Sequence, residues 1–372
     1  MGEGGVKILF LVYHNLVSHS GISKKILSQV DGLRACGADV RLCTLRINAD
    51  GSKDRTAGEE VIRHFGFGVK AKIARRVSYS DIIDYVRGEG IGTVYIRYDI
   101  NSDPFTVAFV RRLKRLGVKV LCEIPTYPYD GEVKGQSKGL KLQLAVDKCF
   151  RKAFFSHCHK AVVYVDEERV FGCPTIKISN GVDFGRVQLA AEPDFSGGLR
   201  MLSVANVHLW HGLDRLIAGM GAHPEIPAEL HIVGDGLESI FEQYRSQIAA
   251  LGLEDRVKIL GPMFGEALDA EFAWSNLAVG SLGRHRSGIN SIKTLKNREY
   301  AARGRAFFYS EQDSDFDAAP YVFRCPADES PVDMAALQEF ATSVALSPSE
   351  IRQSALPLSW DEQMKKVLKD GS

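Results

Sequence analysis

Short hydrophobic runs recur along the chain, each followed by a polar loop and then by a stretch whose apolar residues fall at helical spacing. Residues 6–13 (VKILFLVY) form the first run, the pattern of a strand buried on both faces of a parallel sheet. In 22–36, Ile22, Ile26, Val30 and Leu33 make a helical stripe closed by Gly37. Residues 38–45 (ADVRLCTL) read as the next strand and complete a βαβ unit. The alternation continues with a helix over 71–87, a strand over 93–97 (TVYIR), a helix over 104–116 and a strand over 118–124 (VKVLCEI). Short strands at 161–165 and 175–178 close this half. A polar, glycine-bearing stretch near 179–198 reads as a boundary. Beyond it come strand 199–205, helix 212–220, strand 229–233, helix 237–251, strand 256–260, helix 265–272 and strand 277–282. A helix ending near Gly304 and a strand over 305–309 follow.

The pattern predicts an α/β protein of two Rossmann-like domains facing across a crevice. The expected division is an N-terminal, acceptor-side domain over 1–180, a linker over 181–198 and a C-terminal domain over 199–357. A helix over 358–372 is expected to return to the N-terminal domain. A crevice of this kind closes on its substrate and expels water.

Composition agrees with this picture. At 372 residues the chain is long for one core. Apolar content of 45% and charged content of 25% are those of a soluble globular protein. The net charge of +1 gives no global signal for nucleic acid, which is not expected as a partner. Seven cysteines without a CxxC pair suit reduced, buried thiols in the cytoplasm. No signal-peptide layout is present, and no apolar run approaches the ~20 residues of a membrane span. Gly2, Gly4 and Gly5 precede the first strand, so they are not a dinucleotide fingerprint.

One stretch departs from this even balance. Residues 134–160 hold seven Lys and Arg against one acid, Asp147, with Leu140, Leu144, Phe150, Phe154 and Phe155 interleaved. Such a helix lies on the inner face of an anionic membrane or packs with a solvated basic face, and both readings stay open.

Candidate chemistry sits where strands end. In a doubly wound sheet, ligands bind beyond the carboxyl ends of the strands. His14, Arg97, Asp99, Glu123, Tyr127 and Tyr129 fall there, and each reads equally as a loop residue with a structural hydrogen bond. The stretch 284–304 (RHRSGINSIKTLKNREYAARG) passes from a strand through a polar turn into a helix start. That order presents free backbone N–H groups and the positive end of a helix dipole, which bind phosphate. Glu299, five residues after Thr294 in the same helix, is placed to accept from a pair of sugar hydroxyls. Phosphate binder plus hydroxyl acceptor reads as a nucleotide-sugar site; an ordinary strand–loop–helix corner with solvated charges is the competing reading.

The second half resembles glycosyltransferase family 4, retaining enzymes of the GT-B fold. The residues that carry the resemblance are Asn180-Gly181-Val182-Asp183, the 202–217 segment with Trp210-His211-Gly212-Leu213-Asp214-Arg215, and Val233-Gly234-Asp235-Gly236. The stretch 295–304 (LKNREYAARG) and Ser359-Trp360 also match. The first half is similar to the bacterial surface-polysaccharide branch, through Tyr95-Ile96-Arg97-Tyr98 and 123–130 (EIPTYPYD). The resemblance implies transfer of a sugar from a UDP- or GDP-sugar to a glycan or polyprenyl-linked acceptor, without metal or cofactor. It implies that Glu299 holds the donor ribose, that the backbone around Ser291, Lys293, Thr294 and Leu295 holds the phosphates, and that Gly21 and Gly236 face the donor.

The departures define what must be replaced. The first glutamate of the family's paired motif falls on Ser291, and its two diphosphate-binding cations fall on Asn206 and His211. Leaving diphosphate develops negative charge that cations stabilise. Arg286, Lys293, Lys296 and Arg298 surround the phosphate turn, and Arg286 is favoured because a guanidinium grips phosphate bidentately. Arg286 and Lys296, with Glu123, are the expected catalytic residues; Arg97, Asp99, Tyr127 and Tyr129 are expected to hold the acceptor. His211 is expected to donate a hydrogen bond, more strongly if protonated. Asp313-Ser314-Asp315 has the look of a metal motif but lies after the last expected strand, and no metal is expected. A non-catalytic GT-B protein binding a nucleotide sugar or a partner glycosyltransferase is the alternative, and an epimerase or phosphorylase the remoter one.

Overall fold

The computed structural model describes residues 5–17, 20–130 and 137–371. The chain divides into two compact units, Met1–Ser179 with Trp360–Ser372, and Asn180–Ser359.

The first unit opens with β1 (Lys7–Leu11), α1 (Gly21–Ala35) and β2 (Asp39–Ile47), followed by β3 (Lys53–Ala57) and β4 (Glu60–Gly66). Then come α2 (Gly68–Val77), α3 (Ser80–Gly88), β5 (Thr93–Arg97), α4 (Pro104–Arg115) and β6 (Lys119–Glu123). It continues through α5 (Lys138–Phe155), β7 (Lys160–Val163), β8 (Arg169–Val170) and β9 (Cys173–Lys177). The sheet runs β4-β3-β2-β1-β5-β6-β7-β9-β8, so the strand order reverses between β1 and β5. Helices start where their caps allow. Ser20 accepts from the Ser23 amide at α1, and Asp103 with Thr106 forms a capping box at α4 behind Pro104.

The β3–β4 hairpin is antiparallel and was not expected. Its register slips at Lys53/Asp54 and at Arg55/Thr56, and each slip breaks the period-two alternation that marks a strand in sequence. The expected helix over 71–87 is two helices. Arg55 reaches from β3 to the carbonyls of Arg75 (3.1 Å) and Ser78 (3.0 Å) and to the Asp81 carboxylate (2.8 Å). It therefore caps the end of α2 and holds the start of α3, while Tyr79 between them is buried against Phe109.

The basic helix is α5, and it turns its apolar side inward. Leu144, Phe154 and Phe155 join the core, and buried Asp147 accepts from the hydroxyls of Tyr98 and Tyr129 and from the Ser102 amide. Lys148 and Arg151 pair with Asp130. Taken alone it is a packed helix with a solvated basic face; Lys134 lies outside the described residues.

The second unit holds β10 (Leu199–Val204), α6 (Leu213–Ala222), β11 (Ala228–Val233), α7 (Glu238–Leu251) and β12 (Val257–Gly261). It goes on through α8 (Glu266–Trp274), β13 (Leu277–Val279), α9 (Leu295–Ala302), β14 (Phe307–Tyr309), β15 (Val322–Arg324), α10 (Met334–Ser343) and α11 (Pro348–Ala355). The six strands run β12-β11-β10-β13-β14-β15, with every pairing parallel. Here the order reverses between β10 and β13. The expected linker 181–198 belongs to this unit. Arg305 donates to the Ala191 carbonyl at 2.7 Å, Arg352 to the Val187 carbonyl at 2.9 Å, and the Ala190 amide to the Arg303 carbonyl at 2.9 Å. A stretch pinned at several carbonyls behaves as part of the domain, whatever its composition.

The last helix, α12 (Trp360–Asp370), lies in the first unit, with Trp360, Met364 and Val367 in one cluster with Ile26, Val30 and Leu33 of α1. Among the described residues no helix is long and apolar enough to cross a membrane.

Glu123, at the end of β6, has no exposed surface. Arg97 donates to it at 2.9 Å, Tyr164 at 2.7 Å, Gln29 at 3.0 Å and Tyr95 at 3.1 Å, and the Lys25 ammonium stands 3.5 Å away. Burial opposes its ionisation, but Lys25, Arg97 and these donors outweigh burial and hold the carboxyl at about 2. One side chain thus ties β5, β6, the segment after β7 and α1 together. Its folded value lies below the ordinary glutamate range, so its stabilisation is present in full above that range and fades as pH falls toward 2. Replacement by Ala strands two buried cations and is expected to cost about 3–5 kcal/mol in chemical denaturation. A loss under ~1 kcal/mol contradicts the network.

Candidate functional site

The candidate site lies in the second unit, where the strand order reverses. β10 and β13 are neighbours there, and the chain leaving β13 runs through a 3₁₀ turn at Arg284–Ser287 to the start of α9. A ligand site is expected outside the carboxyl ends of such strands. Tyr300 of α9 fixes the helix to both: its hydroxyl accepts from the Val204 amide (3.2 Å) and donates to the Val279 carbonyl (3.0 Å). On the other side, the Leu282 amide donates to the His211 carbonyl at 2.9 Å and the Gly283 amide to Trp210 at 3.2 Å. This close approach needs Gly212, whose φ is +62° and whose Cβ would come within 2.5 Å of the Gly283 nitrogen.

The start of α9 is uncapped. Thr294 occupies the N-cap without a side-chain hydrogen bond to the helix, and its hydroxyl is buried without a partner among the described residues. The Lys296 ammonium, one Glu311 oxygen and the Ser281 hydroxyl are buried without a hydrogen-bond partner in the same region. Buried polar atoms are nearly always paired, so their concentration between 281 and 311 marks a place built for something else.

The electrostatics of this corner are unusual. Burial pushes the Lys296 ammonium well below the lysine range, with Glu311 opposing it and Arg284 adding to it. Burial likewise pushes the Glu311 carboxyl up, against Lys296 and Arg284. Burial, then Lys296 and Arg284, hold His211 well below its usual range. Burial thus favours the neutral ring of His211 over the protonated form that would donate more strongly. Its Nδ1 accepts from the His208 amide at 2.9 Å, which leaves the ring proton on Nε2.

The four candidate cations divide sharply. Arg286 donates to both oxygens of Asp214 (2.8 and 2.7 Å), to Glu329 (3.0 Å) and to the Leu209 carbonyl (3.1 Å). Its guanidinium is committed within the protein, which corrects the preference for Arg286 as the phosphate grip. Arg298 is fully buried and paired with Asp313 and Asp315, and Lys293 stands 3.3 Å from Asp315. The carboxylates of the metal-like motif are thus partners of protein cations. Lys296 alone of the four donates no hydrogen bond among the described residues. Arg284, Glu311 and Thr294 Oγ1 enter the site through the fold; Arg284 also lies over the Trp210 ring at 5.4 Å.

Glu299 is partly exposed and accepts from Arg303 at 3.0 Å. Ser291 and Leu295 are exposed, and Ser291 bridges in parallel to Gln312. Asn206 is exposed, and Gly236 bridges to Val207, whose carbonyl a Cβ there would meet at 2.5 Å. In the first unit, Gly21 begins α1, and a Cβ would touch nothing within 4 Å. Glu123 and Arg97 are buried on one another, and the Tyr129 hydroxyl is buried on Asp147 at 2.7 Å. These three are corrected from substrate contacts to internal supports, because their polar atoms are already bound inside the core. Asp99 is exposed and Tyr127 and His14 partly so.

No protein-family model matches the chain. No curated protein matches it either. Solved structures do. HepE (Alr3699) of Anabaena, crystallised with UDP, is 14% identical, with a TM-score of 0.59 over 98% of this chain and 100% of its own. The lipopolysaccharide outer core galactosyltransferase WaaB is 12% identical, with a TM-score of 0.63 over 98% and 99%. Sucrose-phosphate synthase of Thermosynechococcus elongatus is 15% identical, with a TM-score of 0.58 over 98% and 94%. These likenesses show the fold, two α/β domains on parallel sheets of the GT-B type.

The division among the cations is testable before any ligand is known. Arg298→Met leaves Asp313 buried without its charge partner and is expected to lower stability by about 3–5 kcal/mol in urea denaturation. Lys296→Met removes a buried ammonium that has no acceptor and is expected to leave stability unchanged or raise it. The opposite ranking contradicts the assignment.

Proposed function

We propose that the chain is a retaining glycosyltransferase, and that the start of α9 holds the diphosphate of a UDP- or GDP-sugar. The acceptor is a glycan or lipid-linked oligosaccharide of surface-polysaccharide biosynthesis. The observation that carries the reading is the uncapped start of α9 with Lys296 beside it, whose buried ammonium has no hydrogen-bond acceptor among the described residues. The first turn of a helix and a lone cation are what a diphosphate needs. The presence of UDP with HepE fits a nucleotide diphosphate on this fold.

In this reading Lys296 is the catalytic cation. As negative charge gathers on the departing diphosphate, a fixed ammonium in a water-poor site lowers the barrier without reorganising. Arg284 supplements it, and neutral His211 donates through Nε2. Glu299 accepts from the donor ribose, and the acceptor hydroxyl passes its proton to the departing phosphate oxygen, so attack and departure share one face. Asp99 and Tyr127, with polar groups at or near the surface, are the acceptor contacts. The diphosphate is held by protein groups, without a metal or cofactor.

A thermal-shift panel of UDP-, GDP- and ADP-sugars identifies the donor, since a ligand at 100 times its dissociation constant adds ~2.7 kcal/mol. Lys296→Met is expected to lower transfer about 10²–10³-fold, the usual effect of removing one charge-stabilising donor. Glu299→Ala is expected to weaken donor binding. A Lys296→Met enzyme with full transfer activity contradicts the proposal. Binding without turnover across the panel marks a GT-B protein that holds a nucleotide sugar without transferring it.

Affinity should also depend on pH. Lys296 holds phosphate only as the ammonium, and its proton is lost near neutrality because burial has lowered its value. Glu311 ionises over the same upward shift and adds repulsion. Both effects have one sign, so the affinity for a nucleotide sugar should fall as pH rises from neutrality into the ordinary lysine range. Titration calorimetry should find this slope in the wild type and a shallower one, left by Glu311 alone, in Lys296→Met.

A further inference from the structure

We propose that the first unit holds its acceptor glycan by an acidic sugar, a uronic acid, whose carboxylate is gripped by Arg75 and Arg76 in a cavity where the strand order reverses between β1 and β5. This rests on the reading of the chain as a glycosyltransferase and names the chemical class of its acceptor. The cavity, about 70 Å³ in volume, lies beyond the carboxyl ends of the two strands. Tyr13 follows β1, and Asp99 and Asn101 follow β5. Arg75 and Arg76, in the last turn of α2, and Arg55 of β3 complete the lining used here. An open α/β sheet takes its ligands at such a place. A cavity of this size holds several waters or one small polar group.

The groups left open there specify the ligand. Arg55 is spent on the Asp81 carboxylate and on the carbonyls of Arg75 and Ser78. Arg76 donates through Nε to Asp103 at 2.9 Å, and its two η nitrogens make no hydrogen bond among the described residues. The Arg75 guanidinium makes none either. Two guanidiniums with open donors match a carboxylate in geometry and charge. Asp99 borders the same cavity. Its side chain is open to water, yet enough protein crowds the carboxyl to raise its value, with His14, Arg76, Arg97 and Arg75 opposing. A bare anion would be repelled by this carboxylate, so the ligand that fits brings a hydroxyl for Asp99 beside the acid that the arginines hold. On the buried side, the Tyr13 hydroxyl and Asn101 Oδ1 have no hydrogen-bond partner among the described residues, and Asn101 is 3% exposed. Burial holds the Tyr13 hydroxyl well above the tyrosine range, with Asn101 beside it among the opposing groups. Buried polar atoms are nearly always paired, so these two mark places for further hydroxyls. One acid flanked by hydroxyls is the outline of a uronic acid. A neutral hexose leaves the two arginines unanswered, and a phosphate leaves Asp99 and Asn101 so.

The test titrates the full chain with the methyl glycoside of glucuronic acid, read by ligand-observed NMR, with methyl glucoside and inorganic phosphate as probes of the two halves of the site. The glucuronide is expected to bind at least about tenfold more tightly than the glucoside, the effect of one charge-assisted hydrogen bond. Arg75→Met removes a side chain that donates no hydrogen bond within the protein, so it is expected to keep the wild-type melting curve and to lose this preference. Asp99→Ala is expected to weaken the glucuronide and not phosphate. The proposal is overturned if glucuronide and glucoside bind alike, if neither binds, if phosphate binds as tightly as the glucuronide and displaces it, or if Arg75→Met keeps the wild-type preference. The thermal-shift panel of nucleotide sugars separates this from the proposed function. A nucleotide sugar bound without any preference for the glucuronide overturns the acceptor class alone. A glucuronide bound without any nucleotide sugar overturns the glycosyltransferase reading and supports the uronic acid site.

Discussion

A charge taken out of water must find a partner inside the protein, and the functional reading of this chain follows from a buried ammonium, that of Lys296, which donates no hydrogen bond among the described residues. Around the start of α9 the fold buries several cations within a short span. Arg298 is matched by two aspartates and Arg286 by Asp214 and Glu329. Lys296 faces Glu311 without a hydrogen bond to it, and both are driven toward their neutral forms by burial. Such an arrangement is costly if permanent and useful if a diphosphate completes it.

The same rule separates support from site in the first unit. Glu123 stands at a strand end, where ligands are usually met, yet its oxygens are filled by donors from β5, the segment after β7 and α1. Asp147 plays the matching part for α5, accepting from two tyrosine hydroxyls and an amide. Arg55 joins two helices by taking the carbonyls that end one and the carboxylate that begins the other. These interior ions hold the helical layer on its sheet.

The residue sequence by itself determined the fold class, most parallel strands and the strand–turn–helix order over 284–299. Strands buried on both faces read as continuous apolar runs, which is why β1, β5, β6, β10 and β11 are legible without any partner being known. Strand, polar turn and helix start are consecutive, so 284–299 is legible as well. α11 was not read from the sequence, although Ser347 and Glu350 form its capping box around Pro348. The β3–β4 hairpin was hidden because its bulges destroy the alternation, and the break between α2 and α3 because Arg55 imposes it from another strand.

Only the tertiary structure decided which of the four cations has no hydrogen-bond acceptor among the described residues. Arg286, Lys293, Lys296 and Arg298 are alike as letters, and Arg286 has the better chemistry for phosphate. Its partner Asp214 lies 72 residues away and Glu329 lies 43 away, so no local pattern could reveal that its donors are taken. The same holds for Glu123, Arg97 and Tyr129, whose polar atoms close on partners from remote strands and helices. Identity and spacing fix what a residue can do; only the folded chain fixes whether its charge is already answered.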